Sequence, residues 1–147
     1  MYLLDTNIIS ADAPTKRQVG VEAFAAWMRA YSDRLYLSTI TIAEIEAGIA
    51  RAVRLAATAK AEKLRHWLGA VEHFYAGRIL PFDIEEARHA GLILDRARAH
   101  DPGFEDIIAI AATAATHGLT VLTANERHFE PLGIAFVNPL KQLPSTQ

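Results

Sequence analysis

The first four residues, Met1-Tyr2-Leu3-Leu4, are apolar without alternation and run straight into Asp5. So short an uninterrupted apolar run reads as a strand buried on both faces, as in a parallel sheet covered by helices on either side. Apolar character resumes at Ile8-Ile9, so Asp5 stands just past the strand's C-terminal end, with Thr6 and Asn7 placed to cap a following helix. In open α/β sheets that edge is where ligands bind. A carboxylate there is a helix cap or the first member of a site, and the return of other carboxylates to the same edge decides which.

The remaining chain alternates between two periodicities. Ala11 to Lys16 is loop-like, and Val21, Phe24, Ala25, Trp27 and Met28 fall at helical spacing up to Tyr31. Leu35-Tyr36-Leu37-Ser38 reads as a second strand, followed by Thr41-x-x-Glu44, a capping-box pattern that opens a helix through Gly48. Residues 49 to 76 read as long Ala-rich helix with a break near Ala56–Lys60, ended by Gly77. Arg78 to Phe82 gives a third strand, with Pro81 tolerable near its end or at an edge. Asp83 caps a helix from Ile84 to about Ala99, with Ala87, Ala90, Gly91, Leu94 and Ala97 expected inward. His100-Asp101-Pro102-Gly103 is turn chemistry. Glu105-Asp106 opens a nearly uncharged helix, Ile107 to Thr116, which must be buried on most sides and which Gly118 ends. Leu119 to Thr123 is a fourth strand, Asn125 to Phe129 a helical turn, and Ile134 to Val137 a fifth strand. Such alternation predicts a three-layer α/β/α domain on a mostly parallel sheet of roughly five strands. One domain is expected over residues 1–139, with a polar tail over 140–147.

Composition narrows the chemistry. The 147 residues include no cysteine, which excludes disulfides, thiolate metal sites and cysteine nucleophiles, and fits a reducing cytoplasm. No apolar run approaches the roughly 18 residues of a membrane span, and the N-terminus has no signal-peptide pattern. Net charge is −2, so any contact with nucleic acid must come from a local basic patch. Residues 51 to 65 carry one, with Arg51, Arg54, Lys60, Lys63 and Arg65 against the single acid Glu62. Such a run is most often a solvated helix face, but it can contact phosphates if it flanks a cleft.

Three carboxylates share one context. Asp5 follows the first strand, Glu44 lies in the first turn after the second, and Asp106 starts the buried helix before the fourth. Asn125, in Thr123-Ala124-Asn125, follows the fourth strand and can join them. Each acid has a plain structural reading as a helix cap or capping-box partner; their shared placement favours a site. Carboxylates gathered in one cleft raise each other's pKa unless a cation is present. Oxygen ligands without cysteine or histidine suit a hard ion, Mg²⁺ or Mn²⁺, which can activate water against a phosphodiester. Glu46 and Glu105 read as solvated or supporting, and His66, His73 and His128 as isolated surface residues.

Five stretches then carry a resemblance: Leu3 to Ser10 (LLDTNIIS), Ser38-x-x-Thr41-x-x-Glu44-x-x-x-Gly48, Arg78 to Asp83, Asp106 ahead of Ile110 to Ala114, and His117 to Phe129. In this order they resemble the PIN-domain family, and more narrowly the VapC-type toxins of toxin–antitoxin pairs, from residue 1 to about Pro139. The resemblance implies an Mg²⁺- or Mn²⁺-dependent endoribonuclease that cuts tRNA or other structured RNA at few sites. It implies a homodimer, blocked by a small VapB-like antitoxin and able to form a larger hetero-oligomer with it. It places the metal-binding and catalytic acids on Asp5, Glu44 and Asp106, with Thr6 and Asn7 shaping the first loop and Thr123 orienting the acids.

Two departures from the family pattern follow. Where many relatives carry a fourth acid, this chain has Asn125 or His128. Asp106 precedes Ile110 by four residues rather than three, a change of about 100° on a helix, which the loop after Gly103 must absorb unless Glu105 substitutes. The rival reading is a non-cleaving PIN-like module that binds RNA or antitoxin through a weakened metal site. An aspartyl phosphotransfer domain would need a second acid at or just beyond Thr6 and Asn7, and has none there.

Overall fold

The computed structural model describes residues 1–14, 22–100 and 105–146. Val21, the Thr15-Lys16 end of the first loop and the Asp101-Pro102-Gly103 turn lie outside the described residues. In chain order the elements are β1 (Tyr2–Leu4), α1 (Thr6–Ile9), α2 (Glu22–Ala30), β2 (Leu35–Ser38), α3 (Thr39–Arg54), α4 (Thr58–Phe74), β3 (Ile79–Leu80), α5 (Ile84–Arg96), α6 (Asp106–His117), β4 (Thr120–Leu122), α7 (Glu126–Phe129) and β5 (Phe136–Val137).

The five strands pair in the order β3-β2-β1-β4-β5, and each neighbouring pair is parallel. β1 is central, and the chain builds outward from it first on one side and then on the other. The strand order therefore reverses beside β1, which opens a crevice at the C-terminal ends of β1, β2 and β4. Register brings those ends level: Leu4 pairs with Leu122, and the Asp5 amide donates to the Leu122 carbonyl at 2.9 Å.

The alternating strand geometry splits the core into two layers. Tyr2, Leu4, Leu35, Leu37 and Leu122 face a cluster with Trp27 of α2, Ile45 and Ile49 of α3, and Leu68 and Val71 of α4. Leu3 and Val121 face the opposite layer, with Ala90 and Ile93 of α5, most of α6, and Phe129. Burial on both faces is what the unalternated run at β1 demands, and Leu3 and Leu4 are fully enclosed. Beyond β5 the chain returns to the domain, where Pro144 is buried and the Tyr2 hydroxyl donates to the Ser145 carbonyl at 2.8 Å.

Local differences from the sequence expectations have physical causes. Asp5 itself caps α1, accepting from the Thr6 amide, so Thr6 and Asn7 lie in the helix rather than capping it. α3 begins one turn earlier than the Thr41 pattern suggests, because the Ser38 hydroxyl caps it through the Ile40 amide. Thr41 is thereby buried, and Glu44 moves from the first turn to the second. The break in the long helix falls at Leu55–Ala57, with Ala56 in the left-handed region at φ 57°. On α5 the inward face is Glu86, Ala90, Ile93 and Ala97, while Ala87 and Gly91 are exposed. The rotation follows from Glu86, whose carboxylate accepts from the Asp83 amide at 2.9 Å and meets His117 of α6 at 3.0 Å. β3 is shorter than read and lies at the sheet edge, where Pro81 does no harm.

Candidate active site

The crevice at the strand ends is a cleft of about 960 Å³. Asp5, Thr6, Asn7, Glu44, Asp106 and Asn125 all line it; Thr123 lies fully buried behind Asp5.

Asp5 is the fixed member. It is 5% exposed. Its Oδ1 accepts from the Thr6 amide at 2.8 Å, and its Oδ2 accepts from the Thr123 hydroxyl at 2.7 Å and the Asn7 amide group at 2.9 Å. Thr123 also accepts from the Asn125 amide at 2.9 Å, and Asn7 Oδ1 accepts from the Ala124 amide at 3.3 Å. The loops after β1 and β4 are thus sewn together around one carboxylate. Burial pushes the Asp5 carboxyl above its usual range, while these donors and the charge of His128 pull against that rise.

Glu44 reaches the same cleft from α3. The Thr6 hydroxyl donates to Glu44 Oε2 and stands 3.1 Å from the buried Thr41 hydroxyl. Its carboxyl is pushed up to about 8, first by burial, then by the hydrogen bond and the charge of Asp106, then by the charge of Asp5. Asp106, the first residue of α6, therefore stands near enough to Glu44 to raise its carboxyl. Helix α6 aims its N-terminus at the cleft, as the parallel architecture requires if the acids are to converge. Glu105, the residue before it, also lines the cleft; both acids are exposed, and the Glu105 side chain caps nothing.

Two residues have a part the sequence reading did not give them. His128, read as a surface histidine and as one place where relatives carry a fourth acid, is exposed but lines the cleft and lies 3.0 Å from Asn125 through its Nδ1. The signal available was its place three residues after Asn125, on the same turn of a helix. Thr41 supports the acids through Thr6; its role was masked because Thr-x-x-Glu reads as a capping box.

The donor set of Asp5, Glu44 and Asp106 is all oxygen and acidic, which fits a hard divalent cation. The proton that Glu44 retains up to about pH 8 stands where such a cation would offset the crowded charge. Among the described residues, no three Asp, Glu or His side chains already stand at the mutual spacing of a closed metal site.

A covered parallel sheet with carboxylates converging at its C-terminal edge defines the class. Residues 2–133 match the PIN domain family, and the chain belongs to it. Its relatives narrow the setting. Toxin FitB of Neisseria gonorrhoeae is 37% identical across 95% of this chain and 98% of its own. The VapC ribonuclease Y4jK of Sinorhizobium fredii is 35% identical across 95% of this chain and 97% of its own. The crystal structure of FitAcB from Neisseria gonorrhoeae superposes with a TM-score of 0.79 at 36% identity, covering 95% of this chain and 98% of that one.

Proposed function

We propose that this protein is the toxin of a toxin–antitoxin pair, a divalent-metal-dependent endoribonuclease that cuts tRNA or other structured RNA at few sites. The observation that carries the reading is the convergence of Asp5, Glu44 and Asp106 on one open cleft, with the Glu44 carboxyl pushed up to about 8. The relatives named toxin and ribonuclease, matched over nearly the whole chain, support it. Asp5 and Asp106 would hold the ion, Mg²⁺ or Mn²⁺, with Glu44 completing the set or positioning water. When bound, the ion supplies charge neutralisation and an activated water for in-line attack on a phosphodiester.

The chain's own residues do the rest. Thr123, Asn7 and the Thr6 amide hold Asp5 in one orientation. The Thr6 hydroxyl directs the Glu44 carboxyl into the cleft, and Asn125 with His128 closes the wall after β4. No helix among the described residues is long and apolar enough to cross a membrane; a cytoplasmic site of action belongs to the proposal. A VapB-like antitoxin that covers the cleft, and a homodimer able to join it in a larger complex, complete the proposal.

Purified protein freed of any partner, incubated with total RNA in Mg²⁺, Mn²⁺ or EDTA, tests the reading. Discrete metal-dependent cuts, lost in Asp5→Ala and Asp106→Ala, support it. Folded protein that cuts under none of these conditions overturns it in favour of a non-cleaving binding module. That second reading draws on the Asn125–His128 pair standing where a fourth acid is expected. Asp5→Ala separates the two in cells: it abolishes growth toxicity in a nuclease and leaves it intact in a binder.

A further inference from the structure

The cleft does not end at the acids. It opens into a second cavity of about 520 Å³, and the two share Thr6, Ser10 and Glu44 as a common wall. From there the groove follows α3 past Gly48 and Arg51 and reaches Lys60 and Trp67 on α4. Arg51 lies seven residues beyond Glu44 on the same helix, two turns or about 10 Å along its axis. Arg51 and Lys60 are both exposed, and among the described residues neither makes an ion pair. The other cations of the basic run, Arg54, Lys63 and Arg65, do not line the groove. A Cβ built on Gly48 would meet nothing within 4 Å, so the backbone of α3 is bare along the groove floor. The half-buried Trp67 sets an indole at the far end.

We propose that this groove is the track of a single RNA strand leaving the scissile phosphate, with Arg51 and Lys60 holding backbone phosphates beyond it and Trp67 offering a face to a base. The inference rests on the nuclease reading and adds to it the path of the substrate. Charge decides the occupant. With a net charge of −2 the chain attracts no polyanion in general, yet among the described residues it places two cations that make no ion pair along a groove adjoining its acid cluster. The smaller cavity on the other side of the cluster, about 350 Å³, holds Arg127 but no aromatic side chain able to stack on a base beyond its histidines. A reacting phosphate at the acids has neighbours along its own backbone that need neutralising, and cations on the groove wall supply that. An aromatic face beside cations is the usual equipment for holding unpaired bases without reading sequence.

Binding of a fluorescent single-stranded oligoribonucleotide of mixed sequence, measured by anisotropy against salt in EDTA, separates affinity from cutting. The comparison is between Arg51→Ala/Lys60→Ala and Arg54→Ala/Lys63→Ala, which remove equal charge from the same two helices on and off the groove. The groove pair should lose about tenfold in affinity at low salt and about 1.4 from the logarithmic salt slope, the equivalent of two single-strand phosphate contacts. The off-groove pair should change little, and both should melt with the wild type. Equal losses in the two pairs, or none in either, overturn the track. If the oligonucleotide is unaffected while a co-expressed antitoxin no longer co-purifies with the groove pair, the groove belongs to a protein partner and the proposal fails. Metal-dependent cutting by wild type separates the two levels: cutting with equal binding in all variants defeats the track alone, whereas a wild type that neither binds nor cuts defeats the nuclease reading and the track with it.

Discussion

Asp5 and Glu44 face the same cleft, yet the two walls they stand on are built on opposite plans. At the β1–β4 junction a carboxylate is nine-tenths buried and held by three donors from two loops, each of which is held in turn. On the α3–α6 wall a half-buried carboxyl takes a hydroxyl from Thr6 and otherwise meets other acids, and it answers by keeping its proton to about pH 8. The first wall offsets part of the cost of burying its charge with fixed donors, although the carboxyl still sits above its usual range; the second has one donor and crowding acids, and its cost stands until a cation arrives. A site for a hard ion gains from both: one ligand fixed in place and others whose repulsion the ion relieves.

Removing the fixed acid should have the largest effect. Asp5→Ala takes away the group on which the Thr123 hydroxyl and the Asn7 amide both rely, leaving them with unmet hydrogen bonds. RNA cleavage should fall by about 10³-fold or more, and stability by about 1–3 kcal/mol, read by gel-based cleavage and thermal melting. A melt as stable as wild type would mean that the two loops hold each other without the carboxylate.

Glu44→Gln should separate the walls by sign. Cleavage should drop by about 10²-fold, yet the metal-free protein should become more stable at pH 8, the opposite of Asp5→Ala. A carboxyl pushed from an ordinary value of 4.5 to about 8 on folding supports the folded state fully below about pH 4.5. Between those values the unfolded chain ionises first, so that support falls as pH rises and is gone above about 8. Melting temperature in EDTA should therefore decline across this window in the wild type and decline less in Glu44→Gln. Mg²⁺ or Mn²⁺ should restore most of the loss at pH 8 in the wild type. Superimposable pH profiles for the two proteins would remove the charge-crowded wall from the comparison.

Thr123→Val tests how much of the fixed wall is orientation. It keeps the shape of a fully buried side chain while deleting the 2.7 Å donor to Asp5. A cost of about 1–2 kcal/mol and a cleavage loss of about tenfold are expected, with kcat falling more than KM rises. Thr123→Ser should recover most of both.

The two walls were also unequally legible in the sequence. Asp5 could be read because a charge ends an apolar run at a strand terminus, and strand order then leaves it one edge to occupy. β2 was legible from Leu35 to Ser38 for a like reason, a short apolar run that ends at a polar residue, here the cap of α3. The α3 wall was hidden by a local pattern: Thr41-x-x-Glu44 has the form of a capping box, but Ser38 caps first and turns both residues to other work. The inward face of α5 was misjudged because Ala87 and Gly91 carry little hydrophobic signal, while Glu86 gains its burial from a cap and a histidine thirty-one residues away. His128 was legible only as one position of a missing fourth acid; the packing of α7 against α6 and β5 brings it to the cleft.

The smallest expected effect is the most discriminating for the register of α6. Asp106 and Glu105 are adjacent acids on the rim of one cleft, and the extra residue before Ile110 makes the choice between them a matter of helix phase. Both are exposed, but Asp106 is the acid that raises Glu44, whereas Glu105 stands ahead of the helix and makes no cap. Asp106→Asn should therefore approach the loss seen for Asp5→Ala, while Glu105→Gln should stay within about threefold of wild type. The same ordering should appear in the metal-free melt at pH 8, where Asp106→Asn relieves Glu44 and Glu105→Gln does not. If Glu105→Gln instead loses cleavage and gains the stability at pH 8, α6 enters the cleft one residue out of phase, and the crowding at Glu44 must be assigned to a different neighbour.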